Sequence, residues 1–368
     1  MSFELRKLED VCDILDHMRI PITSRDRKEG PYPYYGANGI QDYIDDFIFD
    51  DELVLLAEDG GNFGSKEKPI AYRISGKTWV NNHAHVLKPK NIIDIDYLCY
   101  SLMYYDVSGL VNGATRQKLT QSEMRKINIR YRSLEKQRQM VFKIKLISNI
   151  ISSREHQLSN LNLLVKSRFI EMFGDISTNT KGWNQVPLGE LCDISRGGSP
   201  RPINNFLGGT VPWIKIGDAT DGDNIYLTKT KEHIIEDGVK KSHLVKKGSL
   251  IFANCGVSLG FARIITFDGC IHDGWLAFEN ISASIDKRFL LLTLNMLTKY
   301  FRNIAPDGTQ PNLNTSIMKK HKQIVPPLTM QKEFISFVAQ VDKSKLAIQQ
   351  SLYELETLKK SLMQQYFG

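Results

Sequence analysis

The chain has 368 residues and a formal net charge of +7, from 48 Lys and Arg residues against 41 Asp and Glu. This length is enough for two or three domains, and a mild basic excess suits an anionic partner without proving one. The sequence contains no run of 18 apolar residues and no apolar signal core at its start, so we expect neither a membrane span nor a leader. Five scattered cysteines without a Cys-x-x-Cys pair predict a reducing, cytoplasmic setting and no zinc site.

The first part of the chain has the pattern of a mixed α/β domain. Short apolar runs at residues 52–57, 70–74 and 79–80 predict strands, and residues 96–105 predict a helix. A glycine-rich turn at residues 58–61 separates two of the strands. We therefore expect a twisted sheet with a helix packed against it.

A long helix is predicted to follow, over about 39 residues and about 58 Å. A 3-4 spacing runs through it without Pro or Gly, which is the signature of a coiled coil. Seven of its nine seam positions are apolar, and Arg154 and Arg168 are the exceptions. The nine positions are Ile144, Ile147, Ile151, Arg154, Leu158, Leu161, Val165, Arg168 and Met172.

The second globular part repeats the first. Residues 188–194 match residues 8–14 at an offset of 180, and strands are predicted at residues 211–216, 249–253 and 261–267, with a helix at 286–304. Near the end of each part the offset becomes 194, because residues 307–314 align with residues 113–120. The second part therefore carries the longer insertions, by 14 residues (194 − 180).

The second long helix repeats the first at the same offset of 194 (328 − 134). Its polar exceptions do not coincide with those of the first helix, which favours packing of the two helices on each other. A long surface helix in a bundle is the alternative, but it leaves the repeat unexplained. The seam positions of this helix are Val338, Val341, Lys345, Ile348, Leu352, Leu355, Lys359, Leu362 and Tyr366.

These elements predict an α/β (α+β) chain with two tandem mixed α/β domains and two helices. The predicted bounds are 1–133 and 175–327 for the domains, and 134–174 and 328–368 for the helices. About ten residues join the first helix to the second domain and span at most about 36 Å, which is shorter than the helix. The helices are therefore expected to be antiparallel, with a pseudo-two-fold relation and a domain at each end of the pair.

Motifs for catalysis are absent from the sequence. There is no Walker A loop, no dinucleotide fingerprint, and no Asn-Pro-Pro-Tyr-like run typical of adenine methyltransferases. His83 and His85 form an H-x-H pair, but no further ligand stands at metal-binding spacing. A structural or DNA-contacting role is the preferred interpretation for both histidines.

Basic charge is concentrated between Thr115 and Arg154, where eleven Lys and Arg residues face two Glu residues. Such a stripe is typical of a phosphate-binding surface, although a solvated helix face or a surface for an acidic protein stays open. Amide, imidazole and guanidinium groups that can pair with base edges lie in both domains. On this chemistry the candidate DNA-contacting residues are Tyr35, Asn38, Lys66, Asn81, Asn82, His83, His85, Arg116 and Lys118 in the first domain, and Arg196, Arg201, Lys215, Asn254, Arg263, Gln310, Asn312 and Asn314 in the second.

At several of these stretches the sequence resembles the specificity subunits of type I restriction–modification systems. The matching segments are residues 33–46, 79–89, 308–314 running into 326–332, and 358–367. The likeness extends over essentially the whole chain, including its two-fold organisation. One departure is at residues 113–118, where GATRQK stands in place of the Gly-Thr-Gln-Pro form that the second domain keeps.

This resemblance implies two target recognition domains, each reading one half of a split, asymmetric site in double-stranded DNA. It implies that the two helices set the gap and dock two modification subunits, which methylate adenine with S-adenosylmethionine. Restriction subunits would bring ATP- and Mg-dependent translocation and cleavage. The chain itself would hold no cofactor or metal and would not be an enzyme.

Two alternatives stay open. One is an enzyme, a nuclease or methyltransferase with its own active site. The other is a non-catalytic coiled-coil scaffold whose two domains bind proteins, or another kind of two-headed DNA-binding protein. A cofactor-binding or metal-dependent activity of the isolated chain would favour the enzyme, and DNA binding without steep salt dependence would favour the scaffold.

Overall fold

The computed structural model of the chain describes residues 3–65, 67–113, 117–176, 178–220, 225–305 and 312–368. The chain forms two compact units. Unit 1 comprises Met1–His156 and Ile348–Gly368, and unit 2 comprises Gln157–Ala347. Each unit therefore contains one globular part and half of each long helix. Within the described residues, no helix has the length and apolar character needed to cross a membrane.

The first globular part is built mainly from short strands. Its helices are α1 (Leu8–Val11), α2 (Ile95–Met103) and α3 (Gln121–Met124), with a 3₁₀ turn at Asp16–Met18, and α4 (Leu134–Phe173) follows. Its strands are β1 (Glu4–Lys7), β2 (Cys12–Ile14), β3 (Tyr32–Gly36), β4 (Gly39–Ile44), β5 (Phe49–Asp50), β6 (Leu53–Ala57), β7 (Ala71–Ile74), β8 (Lys77–Val80), β9 (Ala84–Pro89), β10 (Val111–Asn112), β11 (Lys118–Leu119) and β12 (Asn128–Tyr131).

The second globular part is likewise built mainly from short strands, with more short helical segments than the first. Its helices are α5 (Leu188–Leu191), α6 (Glu236–Val239), α7 (Lys287–Met296), α8 (Thr298–Ile304) and α9 (Thr315–Lys320), with 3₁₀ turns at Ile203–Asn205, Ile216–Ala219 and Gly256–Ser258, and α10 (Leu328–Phe367) follows. Its strands are β13 (Gln185–Pro187), β14 (Asp193–Arg196), β15 (Leu207–Ile214), β16 (Tyr226–Leu227), β17 (Glu232–Ile234), β18 (His243–Val245), β19 (Leu250–Ala253), β20 (Ala262–Ile265), β21 (Gly269–Ile271), β22 (Trp275–Glu279) and β23 (Lys322–Ile324).

Two sheets organise each unit, and their strand orders match apart from the additional edge strand β16 in unit 2. In unit 1 the orders are β2-β9-β6-β7 and β4-β3-β8-β5, and in unit 2 they are β14-β22-β19-β20-β16 and β17-β15-β21-β18. The second sheet of each unit contains one parallel pair, β3 with β8 or β15 with β21. The central strands β6 and β19 are apolar and buried at every position, as expected for strands covered on both faces. The sequence repeat is therefore a repeat of structure.

The two long helices pack on each other within each unit. In unit 1, Met140 and Ile144 of α4 share a core with Tyr366 of α10. In unit 2, Phe169 of α4 shares a core with Phe334 of α10, and their ring centroids are 5.3 Å apart. In both units the early turns of one helix therefore meet the late turns of the other, as in an antiparallel pair. All eighteen predicted seam positions are buried or half-buried.

A buried glutamine anchors the start of each long helix to its globular part. Gln137 accepts a hydrogen bond from the backbone N–H of Asp94 at 2.8 Å and donates to the carbonyl of Arg132 at 2.7 Å. Gln331 accepts from the N–H of Asp286 at 2.8 Å and donates to the carbonyl of Pro326 at 2.8 Å. Asp94 and Asp286 in turn cap α2 and α7 with their carboxylates. The same network thus occurs in both units.

The predicted elements are present with shifted ends. The helix predicted at residues 286–304 is divided into α7 and α8 at Leu297. The strand predicted at residues 211–216 begins earlier, since β15 starts at Leu207. The five cysteines are unpaired, and burial raises the pKa of Cys12, Cys99 and Cys192 to about 12, so these three thiols stay protonated at neutral pH.

Candidate nucleic-acid interface

A polar cleft of about 520 Å³ lies in unit 1, beside the ends of the parallel strands β3 and β8. The segment after β2 forms one wall, and the loop after β8 forms the rim. Tyr34, which is almost fully buried, lies among the lining residues. Four of the sequence candidates line this cleft, together with Gln41: Asn38, Asn81, Asn82 and His83.

The loop after β8 is held in a fixed conformation. The N–H of Asn81 donates to the carbonyl of Tyr35 at 3.0 Å, which continues the parallel pairing of β3 and β8. The Asn81 carboxamide accepts from the N–H of His83 at 2.8 Å and donates to Gln41 Oε1 at 3.0 Å. Asn81 is 3% exposed, so it positions the loop and Gln41 rather than facing solvent.

The remaining polar side chains of this cleft differ in whether they are free to form hydrogen bonds with a ligand. The Asn38 carboxamide donates to the carbonyl of Gly60 at 2.9 Å and accepts from Asn62 at 3.1 Å. Nδ1 of His83 lies 2.7 Å from Asp59 Oδ1. Asn82 is exposed, and its side chain makes no hydrogen bond within the part of the chain that the structure describes.

Unit 2 contains a cleft of about 480 Å³ at the equivalent place. We call the cleft of unit 1 cleft 1 and that of unit 2 cleft 2. Cleft 2 is lined by residues 199–203 after β14, by Trp213 of β15 and by His272 after β21. It is less polar than cleft 1, because Pro200, Pro202 and Ile203 form its wall. Trp213 is 4% exposed, and its Nε1 has no hydrogen-bond partner among the described residues.

Backbone hydrogen bonds establish that the two clefts are equivalent. The N–H of His272 donates to the carbonyl of Ile214 at 3.0 Å, as that of Asn81 does to Tyr35. The N–H of Gly274 donates to His272 Nδ1 at 2.9 Å, as that of His83 does to the Asn81 side chain. His272 therefore takes the place of Asn81, Trp213 that of Tyr34, and Asp273 that of Asn82.

The rim of cleft 2 carries both signs of charge. Asp273 accepts a hydrogen bond from the Ser199 hydroxyl at 2.9 Å, and its second oxygen lies 3.6 Å from Arg201 Nη2. The Arg201 side chain is 81% exposed. Burial lowers the pKa of His272, although the neighbouring Asp273 opposes this effect. His272 is therefore mainly neutral at pH 7.

A buried ionic cluster lies behind cleft 1. His85 is fully buried, with Nδ1 2.6 Å from Asp16 Oδ2 and Nε2 2.8 Å from the carbonyl of Leu119. Both ring nitrogens face acceptor oxygens, which fixes the orientation of the His85 ring. Burial raises the pKa of Asp16, but the hydrogen bond from His85, with help from Arg19, brings it below its usual value. His85 thus has a structural position, away from the surface on which a base could bind.

The same cluster fixes the segment that carries Lys118. Glu58 pairs with Arg19 at 2.6 Å and with Lys118 at 2.9 Å. Ligand atoms of Asp16, Glu58 and His85 lie within 4.8 Å of one another, but Arg19 and Lys118 already supply the positive charge. In unit 2 the equivalent pair is neutral, because Asn254 donates to Asn312 Oδ1 at 3.1 Å.

Other candidates of the second domain have structural contacts. Asn254 is fully buried, and Asn314 caps α9 by accepting from the N–H of Ile317 at 2.9 Å. Arg263 is 7% exposed and donates to the carbonyls of Ala262 and Ala219. These three residues lie away from the lining of cleft 2.

The remaining candidates are spread over both units. Tyr35 is half-buried beside Tyr72, Arg196 is exposed and donates to the carbonyl of Asp273 at 2.9 Å, and Lys215 pairs with Glu232. Lys66, Arg116 and Gln310 lie outside the described residues. The structure thus brings four candidates together in cleft 1 and places Arg201 in cleft 2.

The basic stripe is partly neutralised by the fold. Arg125 pairs with Glu9 at 3.1 Å, Lys126 with Glu123 at 2.7 Å and Lys145 with Asp96 at 2.6 Å. Arg132 is 5% exposed and donates to Tyr97 Oη at 2.5 Å and to the carbonyl of Tyr366 at 3.2 Å. The exposed cations that remain on α4 include Lys136, Arg138 and Lys143.

Sequence reasoning missed several residues that line the clefts. Gln41, Trp213 and His272 were not among the candidates, and neither was Asp273 on the rim of cleft 2. A signal existed in the repeat, because residues 79–83 correspond to residues 270–274 at an offset of 191 (270 − 79). The chemistry changes from WVNNH to CIHDG, so similarity of residue type could not reveal the match without the strand register.

The fold defines a class of protein with two duplicated α/β units, each with a cleft at the equivalent place. The chain belongs to the family described as type I restriction modification DNA specificity domain, whose model matches residues 2–163 and 180–357. Members of this family supply DNA specificity and are non-catalytic.

Known relatives agree with this family. A protein of Haemophilus influenzae assigned as a type I restriction enzyme specificity subunit is 27% identical over 348 residues, covering 91% of this chain and 86% of the relative. The MjaIX specificity subunit of Methanocaldococcus jannaschii is 24% identical over 153 residues, covering 40% of this chain and 34% of that subunit.

Solved structures show the same fold. The S subunit of a type I restriction–modification system from M. genitalium has a TM-score of 0.58 at 15% identity and covers 100% of this chain and 96% of that chain. A chain from a study of assembly and conformational transition of the type I system has a TM-score of 0.65 at 17% identity, covering 100% and 97%. The HsdS subunit of Thermoanaerobacter tengcongensis has a TM-score of 0.51 at 17% identity, covering 99% and 96%.

Proposed function

We propose that this chain is the specificity subunit of a type I restriction–modification complex and that each unit reads one half of a bipartite, asymmetric DNA site. The observation that supports this most directly is the pair of equivalent clefts with different side chains. A duplicated site with the same backbone and altered chemistry is what two different half-sites require. The long helices would set the gap between the half-sites, and half-sites about one helical turn, about 34–36 Å, apart are within reach of such a spacer.

The chemistry of modification and cleavage would belong to partner subunits. Two methyltransferase subunits would supply S-adenosylmethionine, and restriction subunits would supply the ATP- and Mg-dependent steps. The proposed partner of the two units is double-stranded DNA, and we place the chain in the cytoplasm. The resemblance of the sequence to type I specificity subunits is what supports these proposed partners and cofactors.

An exposed apolar stripe on α4 supports a docking role for the helices. Phe142 is 66% exposed, Leu146 47% and Ile150 36%, and their spacing of four residues puts them on one face of the helix. Exposed apolar stripes of this kind mark protein interaction sites. We propose that a methyltransferase subunit covers this stripe.

Replacement of Phe142 and Leu146 by Asp should prevent assembly without unfolding the chain, because both side chains are already exposed. We expect at least about tenfold weaker copurification with the methyltransferase subunit, since buried apolar anchors commonly contribute more than 1.4 kcal/mol to an interface. Leu244→Asp, at a 41% exposed position of β18, is the matched control. Unchanged assembly of the double variant would place the docking surface elsewhere.

The DNA-binding proposal is tested by measuring the affinity of the assembled complex at several salt concentrations. Duplex DNA with the recognised site should bind with a steep salt dependence, because each neutralised phosphate releases about 0.9 counterion. A protein scaffold predicts weak binding with little salt dependence. That result would overturn the proposal.

A further inference from the structure

The two clefts have the same backbone conformation but carry different side chains at one equivalent position. This position is the second residue of the loop that follows β8 in unit 1 and β21 in unit 2. Asn82 occupies this position in cleft 1, and Asp273 occupies it in cleft 2. Both follow a residue whose side chain accepts the backbone N–H two positions later, Asn81 or His272. Because the loop is held in the same way in both units, the side chains of Asn82 and Asp273 start from equivalent places.

In cleft 1, Asn82 is a carboxamide whose donor and acceptor are both available to a ligand. Asn81 is buried, and its donor and acceptor are both used by Gln41 and His83. The Asn38 carboxamide is likewise used on both sides. Asn82 is exposed and makes no hydrogen bond to the residues that the structure describes. A free carboxamide can pair with the N6 and N7 positions of adenine in the major groove.

Gln41 adds donors next to Asn82 in the same cleft. Its Oε1 is held by Asn81 Nδ2 at 3.0 Å. The Gln41 amide lies over Gly36, where a Cβ would meet Gln41 Nε2 at 2.2 Å. A side chain at position 36 would therefore displace Gln41. The glycine and the buried Asn81 together fix the amide of Gln41, with its Nε2 donors beside the cleft.

In cleft 2 the carboxylate at the equivalent position, Asp273, lies next to Arg201. One oxygen of Asp273 is fixed by Ser199, and the other lies near the guanidinium of Arg201, whose side chain is 81% exposed. The carboxylate can orient Arg201 while leaving most of its donors in solvent. A guanidinium beside a carboxylate, with most of its donors in solvent, can pair with both O6 and N7 of guanine.

We propose that these positions decide which base each unit reads: Asn82 pairs with adenine in one half-site, and Arg201, oriented by Asp273, pairs with guanine in the other. Asn81 and His272 act as positioning residues for the two loops. This inference depends on the proposed function, since it assigns the specificity of the same two clefts.

The test uses the full chain in complex with its methyltransferase subunits. The methylated motif is determined by single-molecule sequencing of DNA that the complex has modified. Asn82→Ala should relax the adenine preference in one half-site by about ten- to hundredfold, and Arg201→Ala should relax the guanine preference in the other by a similar factor. In each variant the other half-site should stay unchanged, which shows that the complex is folded and active.

Two further variants separate base recognition from phosphate contact. Arg201→Lys keeps the charge but loses the two-pronged donor geometry, so base recognition predicts that guanine preference is lost, whereas a phosphate contact predicts that it is kept. Asn91→Ala and Lys240→Ala change exposed residues outside the clefts and should leave the motif unchanged.

The outcomes also distinguish this inference from the proposed function. If the wild-type complex methylates no bipartite motif, the proposed function fails. If it methylates one, but Asn82→Ala and Arg201→Ala keep both base preferences or weaken methylation equally at all sequences, only the assignment of these residues fails.

Discussion

His321 shows how burial of one side chain makes unit 2 sensitive to pH. Its ring centroid lies 5.0 Å from that of Phe301 and 5.7 Å from that of Tyr300. Its Nε2 finds no hydrogen-bond partner among the described residues. Burial lowers the pKa of His321 to about 4, so the folded protein keeps this imidazole neutral.

Unit 2 should therefore lose stability as the pH falls from about 6.5 to about 4. In this interval the unfolded chain binds a proton at His321 that the folded protein does not bind. The linked loss reaches about 3 kcal/mol at the lower end. Urea unfolding at several pH values should show this slope in the wild type and a smaller one in His321→Phe. Equal slopes in the two proteins would contradict the assignment.

Asp16 is the opposite case, a buried residue that has to stay charged. Asp16→Asn removes the carboxylate that His85 Nδ1 contacts at 2.6 Å and weakens the contact with Arg19. We expect the free energy of unfolding to fall by about 3 kcal/mol at pH 7, as when one partner of a buried ion pair is removed. Asp45→Asn, at an exposed position, should change it by less than about 0.5 kcal/mol.

The pH dependence of Asp16 has a defined sign. Its pKa is lowered on folding, so its contribution is present above the pKa of the unfolded chain and is lost as the pH falls through the lower folded value. The difference in stability between the wild type and Asp16→Asn should therefore shrink below about pH 4. A difference that is independent of pH would contradict the charged state of Asp16.

Single side chains were the part of the site that sequence could predict least. Asn81, Asn82 and His83 are adjacent in the chain, and their chemistry suffices to single out the segment. Only the structure separates their roles, because Asn81 is buried and bonded on both sides while Asn82 is exposed. The burial and bonding of Asn81 depend on its contact with Gln41, which lies on β4 and is distant in sequence.

The elements were more predictable, because periodicity is a property of the sequence itself. The long helices begin at Leu134 and Leu328 as expected, since their seams repeat for more than three heptads. Short strands such as β10 and β11 carry no such pattern and were not predicted. The division of the predicted helix at Leu297 depends on tertiary packing, and helix propensity carries no information about such packing.

Gln331 tests how a long helix is joined to its globular unit. Gln331→Ala leaves the N–H of Asp286 and the carbonyls of Ser284 and Pro326 without their side-chain partner. We expect a loss of about 3 kcal/mol, because unpaired buried polar groups cost about 1–3 kcal/mol each. Urea or thermal unfolding measures this loss. Gln340→Ala, at an exposed position of the same helix, is the control, and an equal effect of both changes would contradict the anchoring role.

At the scale of the whole molecule, duplication is the feature that the sequence and the structure share. The repeat in sequence is clear in the helices and weak in the globular parts, whereas the strand orders of the two units match closely. The two helices need apolar residues at the same seam positions in order to pack, whereas the side chains that line the clefts can differ between the units. The family that the sequence resembles is the family to which the chain belongs. The equivalence of Asn82 and Asp273 can be recognised only from the hydrogen-bonded register of the strands that precede them.

The central claim is that the two units read separate halves of one DNA site. The most direct measurement is a genome methylation map of a host that expresses the complex with the wild-type chain, without the chain, or with residues 175–327 replaced by the equivalent part of another specificity subunit. One bipartite adenine motif should disappear without the chain, and the exchange should alter one half of the motif and leave the other unchanged. An unchanged map without the chain, or a change in both halves after the exchange, would contradict this claim.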